Sequence, residues 1–178
     1  KYNKNKLVPF GEFLPFEHLL KNLGLKKITQ GYQSFSSSNE RNIIKFDNIS
    51  FLPLICYEVI YSGNIKANNQ APDLVVNISE DAWFGNSIGP YQHFAKAIYR
   101  SVEEGVFIAR SANKGVSAFI DPNGRVIKSL KTGEPGNIEL NFPHFSHPTL
   151  FSNYGNKIFF LIFLLYIFLT LILKKFKI

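Results

Sequence analysis

Cys56, the one cysteine of the sequence, is the residue whose position most favours covalent chemistry. It ends the apolar run FLPLIC and is followed at once by Tyr57 and Glu58. A nucleophile at a turn between a strand and a helix is exposed at the edge of a sheet, and a thiol there needs a cation or an adjacent base to lower its pKa. Free cysteine is also among the most buried residue types. The residues alone leave two interpretations open, a catalytic nucleophile and a buried structural cysteine.

The segments around Cys56 predict an α/β protein with a mixed sheet. Short apolar runs bounded by turn residues predict strands, and a DPNG turn signal predicts a hairpin. Strands that alternate with helices indicate α/β layers. The predicted strands lie within 43–56 and at 73–78, 106–110, 116–120, 125–130 and 137–141, the predicted helices at 15–23 and 91–105, and an ordered loop at 79–90.

The two predicted helices have apolar residues at helical spacing. In the first, at 15–23, Gly24 is the predicted stop signal. The second, at 91–105, is predicted to be amphipathic, and its inward-facing residues are Phe94, Ala97, Ile98 and Val102.

The C-terminal stretch 158–173 has 16 residues without a charge, a glycine or a proline. As a helix it is about 24 Å long, slightly short of a hydrocarbon core of about 30 Å. Lys157 and Lys174 can reach the two interfaces, where Phe151 and Tyr154 are also favourable. A buried core helix is the alternative, but a helix that is apolar on every face has little else to pack against on a small domain. The stretch predicts a transmembrane helix, and its basic end predicts a cytoplasmic C-terminus.

Composition limits the remaining possibilities. The 178 residues have room for one domain and a short appendage, and 46% hydrophobic residues exclude general disorder. A single cysteine excludes an intrachain disulfide and a Cys-based zinc cluster. Of the net charge of +7, residues 157–178 carry +4, so the rest lacks the basic stripe of a nucleic-acid-binding domain. The sequence contains no methionine, and we interpret it as a piece of a longer chain.

Several unusual stretches together resemble one family, the bacterial apolipoprotein N-acyltransferases, which form the membrane-bound branch of the nitrilase superfamily. The stretches are YNKNKLVPFGE (2–12), ICYE (55–58), NISEDAWFGNSIGPYQH (77–93), RSANKG (110–115) and DPNG (121–124). The DAWFG run is the most specific of them, and the resemblance extends from residue 2 to about residue 173. It implies part of an α-β-β-α sandwich, the C-terminal part of a nitrilase-like catalytic domain, over 1–150. A transmembrane helix with a basic cytoplasmic tail follows over 151–178.

Nitrilase-type enzymes use a Glu–Lys–Cys triad, and the resemblance assigns two of its members here. Cys56 matches the nucleophile, and Lys4 matches the lysine whose cation stabilises the thiolate and the oxyanion. Glu12 matches a glutamate that supports them both. Tyr57 and Glu58 match positions next to the nucleophile, and the Tyr57 N–H is a natural oxyanion donor. Without the resemblance, Lys4 would be interpreted as a surface lysine and Glu58 as an acid at the start of a helix.

Other positions near these motifs have two interpretations or depart from the family. Trp83 matches a tryptophan on the loop beside the active site, where it is expected to line the acyl pocket or a lid. The alternative is a hydrophobic side chain that only holds this loop in place. For His93 a structural role is favoured. The family's general-base glutamate lies upstream of the lysine motif, and the three residues before Lys4 contain no acid. Lys6 and Glu80 stand where the family has histidine and asparagine.

The resemblance implies acyl transfer in two steps. A cysteine thiolate takes an acyl group from a membrane phospholipid, and the resulting thioester passes it to the α-amino group of diacylglyceryl-cysteine on an apolipoprotein. This implies the cell inner membrane, a domain on the periplasmic side, a separately supplied N-terminal part of the enzyme, and no metal or organic cofactor. Two alternatives stay open, a nitrilase-type amide hydrolase and an inactive remnant of a split or truncated gene.

Overall fold

The computed structural model describes residues 2–28, 34–63, 65, 71–141, 143 and 148–175, and a mixed sheet dominates them. Six strands in these ranges lie across the sheet in sequence order. They are β1 (Ile44–Phe46), β2 (Ile49–Ile55), β3 (Leu74–Glu80), β4 (Phe107–Asn113), β5 (Ser117–Ile120) and β6 (Val126–Leu130). β2, β3 and β4 are parallel, and the other neighbours are antiparallel. This sheet confirms the predicted fold class.

Helices follow or flank these strands. The described α-helices are α1 (Glu17–Asn22), α2 (Gly89–Glu104), α3 (Leu150–Tyr154) and α4 (Lys157–Lys175), and the 3₁₀-helices are Cys56–Ile60 and Asp81–Phe84. Each 3₁₀-helix directly follows a parallel strand, β2 or β3. Both turns therefore lie at the carboxyl edge of the sheet, where open α/β sheets bind their ligands.

The main core lies between one face of the sheet and α2. Side chains alternate along a strand, so Leu52 and Leu54 of β2 point to the same side. They meet Val75 of β3 and Ile108 of β4, and all four are fully buried together with Ala97 of α2. Burying a side chain of this kind stabilises the fold by about 1.5–3 kcal/mol. This layer holds the carboxyl ends of the parallel strands in place.

α2 begins two residues earlier than predicted. Pro90 lies in its first turn, where the missing N–H leaves no intrahelical bond unmade. The helix stops at Gly105, whose φ of +66° lies in the left-handed region that favours glycine. The predicted loop at 79–90 is correspondingly shorter, because β3 continues to Glu80 and a 3₁₀-helix follows it.

The inward face predicted for α2 is correct at three of its four positions. Ala97 is buried, and Phe94 and Ile98 pack against the core. The prediction for Val102 was wrong, since this side chain is 45% exposed. It packs against the hairpin turn, where a Cβ on Gly124 would lie 2.7 Å from its Cγ2, instead of against the sheet.

α1 is shorter than predicted, with six residues, and Gly24 follows it at a φ of +78°. Leu19 and Leu23 are exposed, as is Phe16 before the helix, so its apolar side chains do not enter the core. A helix of this length is marginal by itself, and the segment depends on the contacts of the residues around it.

The predicted hairpin between β5 and β6 is confirmed. The carboxylate of Asp121 accepts hydrogen bonds from the N–H groups of Asn123 and Arg125, at 2.9 and 2.8 Å. The strand predicted at 137–141 was wrong, because this segment has no regular secondary structure. Lys128 Nζ donates to the carbonyl oxygen of Glu139 at 2.6 Å, so a side chain occupies an acceptor that a strand ladder would use.

α4 contains the predicted apolar span and is 19 residues long. Its length of about 28 Å is close to a hydrocarbon core. By length and composition it could cross a membrane, and none of its residues is buried. The last three residues of the predicted basic tail, 176–178, lie outside the described residues.

Candidate active site

A cleft of about 830 Å³ opens at the carboxyl ends of the parallel strands. This volume is within the range of about 300–1,000 Å³ that is typical of small-molecule sites. Five of the six site residues predicted from the sequence line it, namely Lys4, Glu12, Cys56, Tyr57 and Trp83. The sixth, Glu58, is fully buried. Segments that are more than 70 residues apart in the chain therefore meet at one surface.

Cys56 occupies a strained turn at the end of β2. It is the first residue of a 3₁₀-helix and has a φ of +52°. This left-handed conformation is uncommon for a residue with a Cβ and typically costs about 1–3 kcal/mol. Comparable turns present the nucleophile in other α/β enzymes. The side chain is half-buried and lines the cleft, so the interpretation as a fully buried structural cysteine does not fit.

Lys4 and Glu12 form a close ion pair on the cleft. Lys4 Nζ donates to both carboxylate oxygens of Glu12, at 2.7 and 2.8 Å. The backbone N–H of Val8 donates to the same carboxylate at 2.8 Å, which fixes the turn between the two residues. The side chains are only 11% and 24% exposed, so water screens this pair less than a surface pair. The lysine cation is thereby held in a fixed position.

Glu58 joins the lysine segment to the cysteine turn from below the cleft. Its Oε1 accepts a hydrogen bond from the N–H of Asn5, and its Oε2 accepts one from the N–H of Ile55, both at 2.8 Å. Asn5 follows Lys4 directly, and Ile55 directly precedes Cys56. The contact with Ile55 is the one expected of an acid at a helix start, whereas the contact with Asn5 reaches a distant part of the chain.

Two residues that the sequence analysis did not identify complete the surroundings of this carboxylate. Arg41 Nη2 lies 3.9 Å from Glu58 Oε1, and the hydroxyl of Tyr2 donates to the carboxylate at 3.4 and 3.5 Å. Burial, and then the charge of Glu58, raises the pKa of Tyr2 above its ordinary value, so the phenol remains a hydrogen-bond donor. Neither residue belongs to a strand or helix whose pattern could have indicated this role.

Tyr57 and Trp83 contribute aromatic surface to the cleft. Trp83 is 65% exposed, so it does not act as a hydrophobic plug for its loop. Tyr57 packs edge-on against Tyr61, with 5.4 Å between ring centroids. Burial, and then the proximity of Tyr57, raises the pKa of Tyr61. The Tyr61 phenol is therefore neutral at physiological pH.

A buried polar network lies at the ends of β3 and β4. Arg110 donates through Nη2 to Asp81 Oδ2 at 2.6 Å and through Nη1 to the side-chain oxygen of Asn77. The other oxygen of Asp81 accepts from Ser79 Oγ at 2.6 Å and lies 2.8 Å from Nδ1 of His93. His93 is buried in this network, in agreement with the structural role that the sequence favoured.

The charges of this network compensate each other. Burial raises the pKa of Asp81, but hydrogen bonds from His93 and Ser79 and the charge of Arg110 outweigh it, so that the pKa lies below its ordinary value. Burial lowers the pKa of Arg110, and the charge of Asp81 opposes this.

The sequence did carry a signal of this buried network. Asn77, Ser79 and Arg110 occupy core-facing strand positions, where a polar group needs hydrogen-bond partners.

Within the described ranges, no group of three or more His, Cys, Asp or Glu side chains is placed to hold a metal ion. The chemistry that the site offers is that of a thiol on the same cleft as a fixed ammonium group, with backbone N–H groups at the start of a helix. This arrangement suits nucleophilic attack on a carbonyl carbon and stabilisation of the resulting oxyanion.

The fold and the cleft define an α/β enzyme domain with a cysteine at the end of a parallel strand and a lysine–glutamate pair on the same cleft. The family model described as carbon-nitrogen hydrolase matches residues 1–140. The chain belongs to this carbon-nitrogen hydrolase family.

Relatives within the family are more specific. The chain is 42% identical over 156 residues to the apolipoprotein N-acyltransferase of Bradyrhizobium diazoefficiens. The alignment covers 87% of this chain and 29% of the relative. It is 41% identical over 173 residues to the apolipoprotein N-acyltransferase of Rickettsia bellii, and this alignment covers 96% of this chain and 34% of the relative. The resemblance stated from the sequence motifs is confirmed. The chain spans about a third of the length of the curated relatives that it matches.

A solved structure supports the fold. A CN-hydrolase superfamily protein from Xanthomonas campestris superimposes with a TM-score of 0.50 at 19% identity, over 75% of this chain and 49% of that chain. At this level of identity the similarity shows the fold alone.

Proposed function

We propose that this chain carries the nucleophile of an enzyme that transfers a fatty acyl group from a membrane phospholipid to the N-terminal amine of diacylglyceryl-cysteine on apolipoproteins. The observation that carries the proposal is the position of Cys56, in a strained turn on the same cleft as the Lys4–Glu12 pair. The similarity to apolipoprotein N-acyltransferases supports this choice of substrates.

In the first step, the Cys56 thiolate attacks the ester carbon of a phospholipid. A C–S bond forms, the C–O bond to the glycerol breaks, and the lysophospholipid leaves with a proton. Lys4, held by Glu12, stabilises the thiolate and then the oxyanion, and the N–H of Tyr57 is a second oxyanion donor. The acyl chain lies along the apolar part of the cleft, which includes Ile60.

In the second step, the α-amino group of the apolipoprotein attacks the thioester carbon. The C–N bond forms as the C–S bond breaks, and the cysteine returns to its free state. A thioester suits this step because it remains reactive toward an amine. Tyr57 and Trp83 provide apolar walls for the two lipid substrates.

We assign the base that takes the thiol proton to a glutamate outside this sequence. The carboxylate of Glu12 is engaged by Lys4 and Val8, and that of Glu58 is buried among backbone donors. Neither is suited to collect a proton from the cysteine. A base near the nucleophile typically contributes 10²–10⁴-fold to the rate.

The proposed location is the inner membrane, with the cleft on the periplasmic side. α4 is long and apolar enough to anchor the domain, and Lys174 and Lys175 at its end favour a cytoplasmic C-terminus. Anchoring at the bilayer surface brings the cleft to both lipid substrates.

The test is direct detection of the acyl-enzyme. The full-length protein that contains this chain is incubated with phospholipid in detergent micelles, and its intact mass is measured. We expect an adduct of fatty-acyl mass that hydroxylamine removes, and no adduct on the Cys56→Ser variant. Addition of a diacylglyceryl-cysteine peptide should discharge the adduct and yield the acylated peptide.

Other outcomes would point to the alternatives. Rapid discharge to free fatty acid, without any acylated peptide, would identify a hydrolase. Absence of any adduct on protein that melts cooperatively would leave an inactive relative of the family and end the acyltransferase proposal.

A further inference from the structure

Glu80 places a carboxylate on the cleft close to the nucleophile. Ile55 pairs with Ile78 at the end of the parallel ladder of β2 and β3. Cys56 follows Ile55 directly, and Glu80 lies two residues beyond Ile78. Strands lie about 4.8 Å apart and rise about 3.3 Å per residue, which puts the backbones of Glu80 and Cys56 within about 10 Å. Ile55, Ile78 and Glu80 all line the cleft.

The carboxylate of Glu80 is held by neutral donors. Asn113 Nδ2 donates to its two oxygens at 2.8 and 3.1 Å, and the N–H of Ala82 donates at 3.0 Å. Lys96 also lines the cleft, but among the residues that the structure describes no cation forms an ion pair with Glu80. The side chain is exposed, so the carboxylate is fixed in orientation and open to a ligand.

Two further charges at or near the cleft are compensated by ion pairs. Lys4 pairs with Glu12, and Arg110 pairs with Asp81. Glu80 therefore adds a negative charge without an ion-pair partner among the described residues, on the same cleft as Cys56. A carboxylate has about four lone-pair sites, and an ammonium group with three N–H donors is a suitable partner for those that remain.

We propose that Glu80 forms the subsite for the primary ammonium group of the acyl acceptor. This inference rests on the proposed function and specifies how its second substrate is recognised. Glu80 is a positioning residue, since it holds the amino group for attack on the thioester of Cys56. The nitrogen attacks after it passes one proton to the general-base glutamate assigned above, and the C–S bond breaks as the C–N bond forms. Asparagine, which the related motif has at this position, would offer the amino group only a neutral contact.

A phosphatidylethanolamine headgroup also carries a primary ammonium. Its nitrogen is separated from the reacting ester by the ethanolamine, the phosphate and the glycerol. The acceptor's nitrogen, in contrast, must reach the thioester carbon itself. Because Glu80 lies close to Cys56 along the ladder, the acceptor amine fits this subsite better than the headgroup.

Equilibrium binding to a protein that cannot turn over tests the subsite. The full-length protein with Cys56→Ser, in detergent micelles, is titrated with a dye-labelled diacylglyceryl-cysteine peptide and with its desamino analogue, and fluorescence anisotropy is recorded. We expect the free amine to improve the Kd by about 10- to 100-fold, the effect of a charge-assisted hydrogen bond. Adding Glu80→Gln should abolish this preference and leave the Kd of the desamino peptide unchanged. Glu139→Gln, a substitution of another exposed carboxylate, should keep it.

Each other result overturns the assignment. Equal weakening of both peptides by Glu80→Gln would indicate a merely structural residue, and a retained preference would place the ammonium elsewhere. If Glu80→Gln weakened the binding of phosphatidylethanolamine but not that of phosphatidylglycerol, Glu80 would be assigned to the phospholipid headgroup. Failure of the proposed function is seen separately, as absence of an acyl adduct on the protein with Cys56 intact, and it does not prevent the binding measurement.

Discussion

The buried carboxylate of Glu58 accepts the backbone N–H of Asn5 at 2.8 Å, and through this bond the lysine segment is fixed to the nucleophile turn. The second oxygen of the same side chain accepts the N–H of Ile55 at 2.8 Å. The distance between Lys4 and Cys56 therefore depends on a residue that does not line the cleft.

Replacing Glu58 with alanine should reduce both stability and activity. The substitution leaves buried N–H donors unpaired, at about 1–3 kcal/mol each, and removes a partner of the buried Arg41. We expect a loss of about 3 kcal/mol in the free energy of unfolding and slower formation of the acyl adduct on Cys56. Thermal melting in detergent and intact mass measure the two effects.

Two substitutions calibrate this prediction. Glu58→Gln retains an acceptor oxygen and should have an intermediate effect, whereas Glu139→Gln changes an exposed carboxylate and should have almost none. If Glu58→Ala melted within about 1 °C of the unsubstituted protein, the hydrogen bonds described for this carboxylate would not support the turn.

Replacing Lys4 with alanine should reduce activity much more than stability. Loss of one group that stabilises an oxyanion typically lowers the rate by about 10²–10³-fold, while a partly exposed ion pair contributes about 1 kcal/mol or less. The rate of adduct formation on Cys56 and the Tm give the comparison. Lys6→Ala is the matched control, because Lys6 Nζ lies over the ring of Tyr61 at 6.0 Å and not on the cleft. Similar rates for the two variants would contradict the role given to Lys4.

The sheet could be predicted from the sequence because its signals are local. The apolar run of β2, the run at 73–78 and the DPNG turn each depend on neighbouring residues only. The prediction failed at 137–141, where an alternating pattern was present but the carbonyl of Glu139 is occupied by Lys128. An alternating pattern indicates that a segment can form a strand. Whether the strand forms depends on whether its backbone groups find a neighbouring strand to bond with.

The site could be predicted only in part, for a related reason. Cys56 and Lys4 were assigned because their motifs resemble a family. The contacts of Glu58 with Asn5 and Arg41 join residues that lie 53 and 17 positions apart in the sequence, and no periodicity records such a contact. Buried polar groups find partners through the tertiary fold, so their roles become visible only when the strands are in register.

Stability should fall in acid because of Asp81. Its pKa lies below the ordinary value in the folded state, so its ionised form contributes stability above the unfolded pKa of about 3.9, and this is lost as the pH falls through the folded pKa. Asp81→Asn should flatten the profile below pH 4. At pH 7 it should cost about 3–5 kcal/mol, because Arg110 loses its buried partner charge.

The Tm between pH 3 and pH 7 tests this prediction. Glu17→Gln serves as the control, since Glu17 also has a lowered pKa, through a hydrogen bond from Lys21, but lies at the surface. Its profile should follow that of the unsubstituted protein. An Asp81→Asn profile that keeps the full acid slope would assign the acid sensitivity to other carboxyl groups.

Gly115→Ala should disturb the same network by steric overlap alone. A Cβ on Gly115 would lie 2.8 Å from Cγ of Asp81 and closer still to its carboxylate oxygen, and the glycine does not have a positive φ. The carboxylate would have to move away from Arg110, so we expect a destabilisation of about 1–3 kcal/mol, as for other overpacked sites. Gly136→Ala is the matched control, because its Cβ meets only the flexible end of Leu130 at 3.2 Å, and it should change the Tm little. Equal melting of the two variants would show that the Asp81 carboxylate can move without loss.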